Sequence, residues 1–544
     1  GVFITCELER DAKRGVAWDM QRATFSPVSS VRLVAEMHKE EPDMRTIIAP
    51  WLLSHVSALL AAAAVLAQGC GGSSVSRGFG SSLASSDDGG AGAGPPGCVG
   101  CTGPAGNGGT LGTVPSASAP APLPSGDAGL PPGVALCGGG ATTSVSGIVY
   151  DPAGKNPLYN VAVYVPKSKP SALATGASCD SCSALYTGEP VAAALTDTAG
   201  KFTMQNVPDG SNIPLVIQIG KWRKQMTIPN IAPCKDNALP DKSLMLPKNH
   251  GEGDIPNIAI STGSADSLEC LLRRVGVDAS EYTPGAPGPA RIHIFRGGGR
   301  RGGAPDTSSP APSSPTSLWA TSPDIMAFDI VLLSCEGDET ATMNQQVLFD
   351  YAAAGGRVFA SHFHYAWFNT GPFGAANLAT WTTGSNSIGD INGDILTTLP
   401  NGQPFPKGTA MRQWLGNVGA LTAGLLPIVQ ARHNSDLSVA NTPSTPWIVP
   451  VPSTAPGATQ YFSFDTPLQA AADQKCGRVV FSDLHVGGAG NDYGGAVSTV
   501  PDGCENVDLS PQEKALEFML FDLSACLTPV SLPPAPPTIV RPPK

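Results

Sequence analysis

Residues 71–135 hold 46 Gly, Ser, Ala or Pro among 65 positions, with Phe79 as the only aromatic. Such a stretch cannot bury enough apolar surface to offset the entropy of ordering it. It reads as a flexible tether, and any packed body must begin after it, near Thr142. At roughly 100–200 residues per domain, a chain of 544 residues suggests two to four units. A balance of 33 basic and 44 acidic side chains, net −11, argues against binding along a phosphate backbone, so nucleic acid is not an expected partner. A hydrophobic content of 41% with mean hydropathy +0.01 excludes both a wholly disordered chain and a polytopic membrane protein.

Ahead of the tether, Met44-Arg45 opens a short basic start, and the compact apolar run Ala58–Ala67 meets Gln68-Gly69-Cys70. A basic start, an apolar core of about 7–15 residues and a small residue at the cut make up a secretory signal. A Cys directly after the small residue resembles the signal of bacterial lipoproteins. That resemblance implies acylation of Cys70 and a lipid-anchored protein in a Gram-negative bacterium, on the outer membrane or facing the periplasm. The pattern departs from the usual one at Leu66, which sits one place early, and at the bulky Gln68. An uncleaved membrane anchor is the alternative. Residues 1–43 have mixed charge and no apolar period, and read as a non-native or removed segment; 44–70 is the signal.

From Ser144 to about Leu246 the pattern has period two. Val161, Val163 and Val165 alternate with Ala162 and Tyr164; Phe202 and Met204 alternate with polar neighbours; Ile213, Leu215, Ile217 and Ile219 follow suit. Short alternating strands broken by Gly, Pro and Asp turns predict a β-sandwich. Val145-x-Gly147-x-Val149 with Asn160–Val165, and Thr196–Phe202 with Val207-Pro208-Asp209-Gly210, resemble the strands and turns of a carboxypeptidase regulatory-like domain, a small transthyretin-like sandwich. The resemblance implies an accessory module without catalytic residues. An insert carrying Cys179-x-x-Cys182 departs from it.

Further on, Leu268, Leu271 and Leu272 mark a short helix between Asp266 and Gly276, and Arg291–Phe295 reads as a strand. Phe328–Ser334 is almost continuously apolar, as in a strand buried on both faces. A helix from about Ala341 to Ala354, ended by Gly355-Gly356, leads to a strand at Arg357–His362, which makes a βαβ unit. Gly477–Asp483 repeats the strand style, and Ser510, Pro511 and Glu513 announce a final helix by a capping box. Asp329–Leu333, Tyr351–Phe359 with His362, and Gly477–Phe481 before His485 resemble the ThuA-like branch of the class I glutamine amidotransferase-like fold. The resemblance implies an α/β domain and a link to sugar metabolism, and leaves the stretch from Trp367 to Gln474 unplaced. The expected fold is thus multidomain: a tether over 71–141, an all-β sandwich over 142–248, a connecting segment with a short helix over 249–290, an α/β domain with a mostly parallel sheet over 291–528, and a Pro-rich tail over 529–544.

In an open α/β sheet, ligands bind beyond the carboxyl ends of the strands. Three strands here end in reactive groups: Cys335-Glu336-Gly337-Asp338-Glu339, His362-Phe363-His364 and Asp483-Leu484-His485. His362, His364, Asp483 and His485 would suit a divalent ion such as Zn²⁺, with the two neighbouring histidines sharing one face of an extended segment. Histidines that only bond loop backbone are the plain alternative. Cys335, Glu336, His362 and His485 are the candidates for catalysis, with Cys335 as nucleophile and an imidazole as base. The amidotransferase pattern is broken, because Ser361-His362 stands where that family's nucleophile would sit.

Beyond Cys6, Cys70 and the tether pair Cys98 and Cys101, nine cysteines remain, an odd number, so at least one stays free or pairs outside the body. Disulfides are expected for most of them, Cys179 and Cys182 included. Two further motifs carry little. Gly297-x-Gly299-x-x-Gly302 is followed by prolines rather than a helix, although Arg296, Arg300 and Arg301 would suit a surface anion; Asp390-x-Asn392-x-Asp394 lacks the Gly and Glu of a Ca²⁺ loop and reads as a turn. The favoured function is a membrane-tethered binding or structural module of the cell envelope, with a glycan or an envelope protein as partner. The alternative is a metal-dependent hydrolase or sugar-modifying enzyme.

Overall fold

In a computed structural model the described residues are 133–285, 288–297, 314–486 and 500–539. Cys70, the signal run, nearly all of the tether and the Gly299/Gly302 loop lie outside them. The described residues belong to one compact unit, Ser118–Lys544. They are mostly β, with twenty strands and few helices.

Eight short strands come first: β1 Ser144–Tyr150, β2 Ala162–Pro166, β3 Pro190–Leu195, β4 Lys201–Gln205, β5 Gly210–Ile219, β6 Trp222–Ile231, β7 Asp236–Ala238 and β8 Leu244–Met245. One sheet has the order β4-β1-β7 with β8 also on β1; the other has the order β3-β2-β5-β6. The period-two pattern explains their packing. Val145, Val149, Phe202 and Met204 from the first sheet meet Val163, Leu215, Ile217 and Trp222 from the second in one apolar core, which fits a sandwich.

The second assembly is a ten-stranded mixed sheet. Its strands are β9 Ile258–Ser261, β10 Tyr282–Pro284, β11 Ile292–Phe295, β12 Ile330–Leu333, β13 Arg357–Ser361, β15 Ser387–Ile395, β16 Leu426–Arg432, β18 Ser444–Val451, β19 Tyr461–Thr466 and β20 Gly477–Ser482; β14 Thr380–Trp381 and β17 Ser435–Asp436 pair separately. The order is β10-β11-β9-β12-β13-β20-β19-β18-β15-β16. The strands from β10 to β20 in this order run parallel, and pairings from β20 to β16 are antiparallel.

Of the parallel strands, β9, β12, β13 and β20 are apolar on both faces, which accounts for the unbroken hydrophobic runs of β12 and β13. Ile258, Ile260, Ile330, Leu332, Phe359 and Val480 face a core shared with helices α1 (Leu268–Val275), α3 (Pro406–Asn417) and α4 (Pro511–Ser524). Ala259, Val331, Leu333, Val358, Ala360, Val479 and Phe481 face a second core with helix α2 (Gln345–Ala353). The β12–α2–β13 unit and α4 form where the sequence places them, and both bonds of the Ser510/Glu513 capping box are made. The segment 249–290, read as a connection, supplies β9 and β10 to the sheet; strands of three and four residues are too short to signal by period. The unplaced stretch after Trp367 supplies the antiparallel extension. Asp390-x-Asn392-x-Asp394 lies on β15 and is not a turn: Gln430 N donates to Asp390, and Asp394 pairs with Arg412 at 2.8 Å.

The sandwich packs on the terminal helix. Tyr159 stacks on Phe518, Trp222 meets Phe521 edge-on, and Asn156 Nδ2 donates to Glu517 at 2.7 Å. Gly276 caps α1 at φ 110°, where a side chain would strike the backbone of Ala153 in the sandwich. Among the described residues four disulfides join Cys137–Cys234, Cys179–Cys476, Cys182–Cys526 and Cys270–Cys504. Cys179 and Cys182 are thus not bonded to each other. Each reaches from the sandwich insert to the large-sheet assembly. Cys335 is free and buried. Among the described residues no helix is long and apolar enough to cross a membrane.

Candidate functional site

The carboxyl ends of four neighbouring parallel strands lie level. Ser261 pairs with Leu333, Leu333 with Ala360, and Ser361 with Ser482. The residues just past these ends therefore converge, as expected at the mouth of a parallel sheet. Cys335, His362 and His485 meet there, all buried, with one potential ligand atom from each within 4.8 Å of the others. Cys335 Sγ lies 3.3 Å from His362 Nδ1, and the His362 and His485 rings are 5.0 Å apart.

Hydrogen bonds define the protonation of His362. Its Nε2 lies 3.0 Å from the carbonyl oxygen of Ser385, which only accepts, so Nε2 carries the proton. Nδ1 then offers its lone pair to the Cys335 thiol. Burial, with the neighbouring His485 and the Arg432 charge, pushes the His362 pKa down to about 2; burial and Arg432 lower His485 to about 3; burial raises the Cys335 thiol to about 12. The pair therefore rests as thiol and neutral imidazole. His362 itself has φ 44°, a left-handed conformation costly for a residue with a Cβ, and such outliers concentrate at functional positions.

A second network holds the trio from behind. Ser361 Oγ donates to Asp266 at 2.6 Å and accepts from Cys335 N at 2.9 Å, while Val486 N donates to the other Asp266 oxygen at 2.8 Å. Asp266 thus ties the ends of β9, β12, β13 and β20 together, and burial raises its pKa to about 6. Gly263 lets the β9 loop pass against the Cys335 carbonyl, where any side chain would collide. Gln512 of α4 donates to His485 O at 2.8 Å.

Two residues expected among the metal ligands stand elsewhere. The chain leaves its extended path at His362 and enters a 3₁₀ turn, His362–Trp367, so His362 and His364 do not share a face. His364 Nδ1 donates to Ser361 O at 3.0 Å, and its Nε2 lies 3.8 Å from Glu336. Asp483 accepts from Asn434 N at 2.9 Å, and burial pushes its pKa up to about 7. Neither joins Cys335, His362 and His485, which form the metal-compatible group among the described residues. Cys335, read from sequence as a nucleophile, takes their place.

From sequence alone Asp266 reads only as the start of a helix, and Ser385 and Arg432 carry no role. Asp266 had one local signal, the polar run Ser261-Thr262-Gly263-Ser264 after an apolar strand. Ser385 and Arg432 reach the site from the unplaced stretch and had none.

No family model matches the chain, and no curated protein matches it. Among solved structures, two type II cohesin–X-dockerin complexes from Acetivibrio cellulolyticus give matches. A C-terminal interface mutant is 17% identical over 22% of this chain and 76% of that one, with TM-score 0.13. An N-terminal interface mutant is 14% identical over 28% and 88%, with TM-score 0.15. A 9R-lipoxygenase from Cyanothece PCC8801 is 12% identical over 21% of this chain and 18% of its own, with TM-score 0.10. Likenesses at these scores carry no argument about fold or function.

Proposed function

We propose that the chain is an exported, lipid-anchored binding protein of the cell envelope, built of a transthyretin-like sandwich and an α/β body. The observation that carries this reading is the disulfide set: eight of the nine cysteines among the described residues are paired, with sequence separations from 97 to 344. Disulfides of this kind persist in oxidising compartments and are rare where glutathione keeps thiols reduced. The apolar run ending at Cys70 and the Gly/Ser/Pro tether supply the anchor and the stand-off. The six parallel strands, of which β9, β12, β13 and β20 are apolar on both faces, support the α/β assignment.

Thiol hydrolysis is the weaker use of the strand-end trio. A nucleophilic cysteine acts as thiolate, and burial holds Cys335 and His362 neutral. Binding of a glycan or an envelope protein is the reading retained. The anchor is tested by expressing the full chain and its Cys70→Ala variant in a Gram-negative host. The parent is expected in the membrane fraction and the variant in the soluble periplasmic extract. A variant that stays with the membrane overturns the lipid anchor.

A further inference from the structure

We infer that Cys335, His362 and His485 form a binding site for one borderline or soft transition-metal ion, of which Zn²⁺ is the type, held by one thiolate and two imidazole nitrogens. The inference rests on the trio alone and stands whether or not the protein is exported.

The donor set selects the ion. Thiolate and imidazole suit Zn²⁺, Co²⁺ and copper, whereas Mg²⁺ and Ca²⁺ prefer oxygen ligands. The spacing fits as well. Bonds of about 2.0–2.3 Å in a tetrahedron place ligand atoms roughly 3.3–3.8 Å apart. The Cys335–His362 pair already lies at 3.3 Å. The widest separation in the group is at most 4.8 Å, about 1 Å beyond the tetrahedral spacing.

Both imidazoles are prepared for a metal. His362 Nε2–H is committed to the Ser385 carbonyl, which turns the Nδ1 lone pair toward Cys335. An imidazole whose far N–H is held by a carbonyl or carboxylate is the usual outer arrangement of a metal-ligating histidine. His485 Nε2 is buried and has no hydrogen-bond partner among the described residues. A buried polar nitrogen without a partner is destabilising, and a bound ion would remove that cost.

Binding is a simple exchange. The Cys335 S–H bond breaks, its proton leaves to solvent, and the sulfur pair forms a bond to the ion; each imidazole gives a lone pair. No electron is transferred. The buried carboxyl group of Asp266 accepts from Ser361 Oγ and Val486 N, the immediate neighbours of His362 and His485. Asp266 also holds the ends of the strands that carry the ligands. Three protein ligands leave a fourth position for water or an exogenous ligand.

The test uses the full chain with its disulfides formed, stripped of metal and titrated with Co²⁺. One equivalent is expected to bind, with tetrahedral visible bands and a thiolate-to-cobalt charge-transfer band in the near ultraviolet. Zn²⁺ should displace it and Mg²⁺ should not. The charge-transfer band should vanish in Cys335→Ser, and binding should weaken at least tenfold in His485→Ala. Where a variant does not fold, X-ray absorption on the Zn²⁺-loaded parent decides. One sulfur and two imidazoles around the metal support the site. A shell of oxygen and nitrogen only, no stoichiometric binding by the folded parent, or a cobalt spectrum unchanged in folded Cys335→Ser overturns it.

Discussion

Cys335 Sγ and His362 Nδ1 stand 3.3 Å apart at the carboxyl ends of adjacent parallel strands, both buried, with the proton on sulfur. Two conditions produce this contact. The β12–β13 pairing sets the strand ends level, and the left-handed turn at His362 swings the ring off the strand direction.

A buried thiol with a raised pKa should resist alkylation. In the native, metal-free chain at pH 8, Cys335 is expected to react with iodoacetamide at least a hundredfold more slowly than in denaturant, as only the exposed thiolate reacts. Mass mapping of the alkylated peptide checks this. Equal rates would mean that Cys335 is open to solvent.

Asp151 and Glu517 meet where the sandwich packs on α4, and burial raises both, Asp151 to about 6 and Glu517 well above its ordinary value. Acids with raised pKa bind more protons folded than unfolded, so their contribution to stability is lost as pH rises from about 4 through the folded values. Glu517→Gln removes that loss and keeps an oxygen to accept from Asn156. Its melting temperature should exceed the parent's at pH 8 by more than at pH 5. A gain independent of pH would contradict the raised pKa of the two acids.

Lys221 bonds Asp329 at 2.6 Å, with side chains only 15% and 6% exposed, and also donates to Gly176 O and Ser178 Oγ. Removing one partner of such a pair typically costs about 3–5 kcal/mol, because the other charge stays buried. Lys221→Met is expected to destabilise by that amount in urea unfolding. Lys221→Met with Asp329→Asn should recover part of it, since Asn can still accept from Asn257 N.

The Cys182–Cys526 bond closes a loop of 344 residues between the sandwich insert and the end of α4. Replacing both cysteines by Ser should cost about 2–5 kcal/mol. Proteolysis should then begin in the insert around Ser181. Wild-type resistance in the double variant would show that apolar packing alone holds the insert.

Locally encoded features were legible. The capping box at Ser510, the apolar strands at Ile330 and Val358, and the period-two strands from Ser144 all appear where the residues place them, since each depends on neighbours within a few positions. The antiparallel extension was not legible: β15 carries Gly389, Asp390, Asn392 and Gly393 and becomes a strand only through its pairing with β16 and β18. The site was half legible. Cys335, His362 and His485 each announce themselves as reactive groups just past an apolar strand. Their meeting depends on β12, β13 and β20 being neighbours, which no local pattern states. Strand alternation continued past Ser361 would put His364 beside His362, but the chain turns there, and Asp483 is taken up by the Asn434 backbone.

The most direct measurement is non-reducing peptide mapping, by mass spectrometry, of the full chain recovered from the envelope of an expressing bacterium. The account predicts an acylated Cys70 at the mature end, the four bonds Cys137–Cys234, Cys179–Cys476, Cys182–Cys526 and Cys270–Cys504, and Cys335 as a free thiol. An unmodified Cys70, fully reduced cysteines, or Cys335 in a disulfide would contradict it.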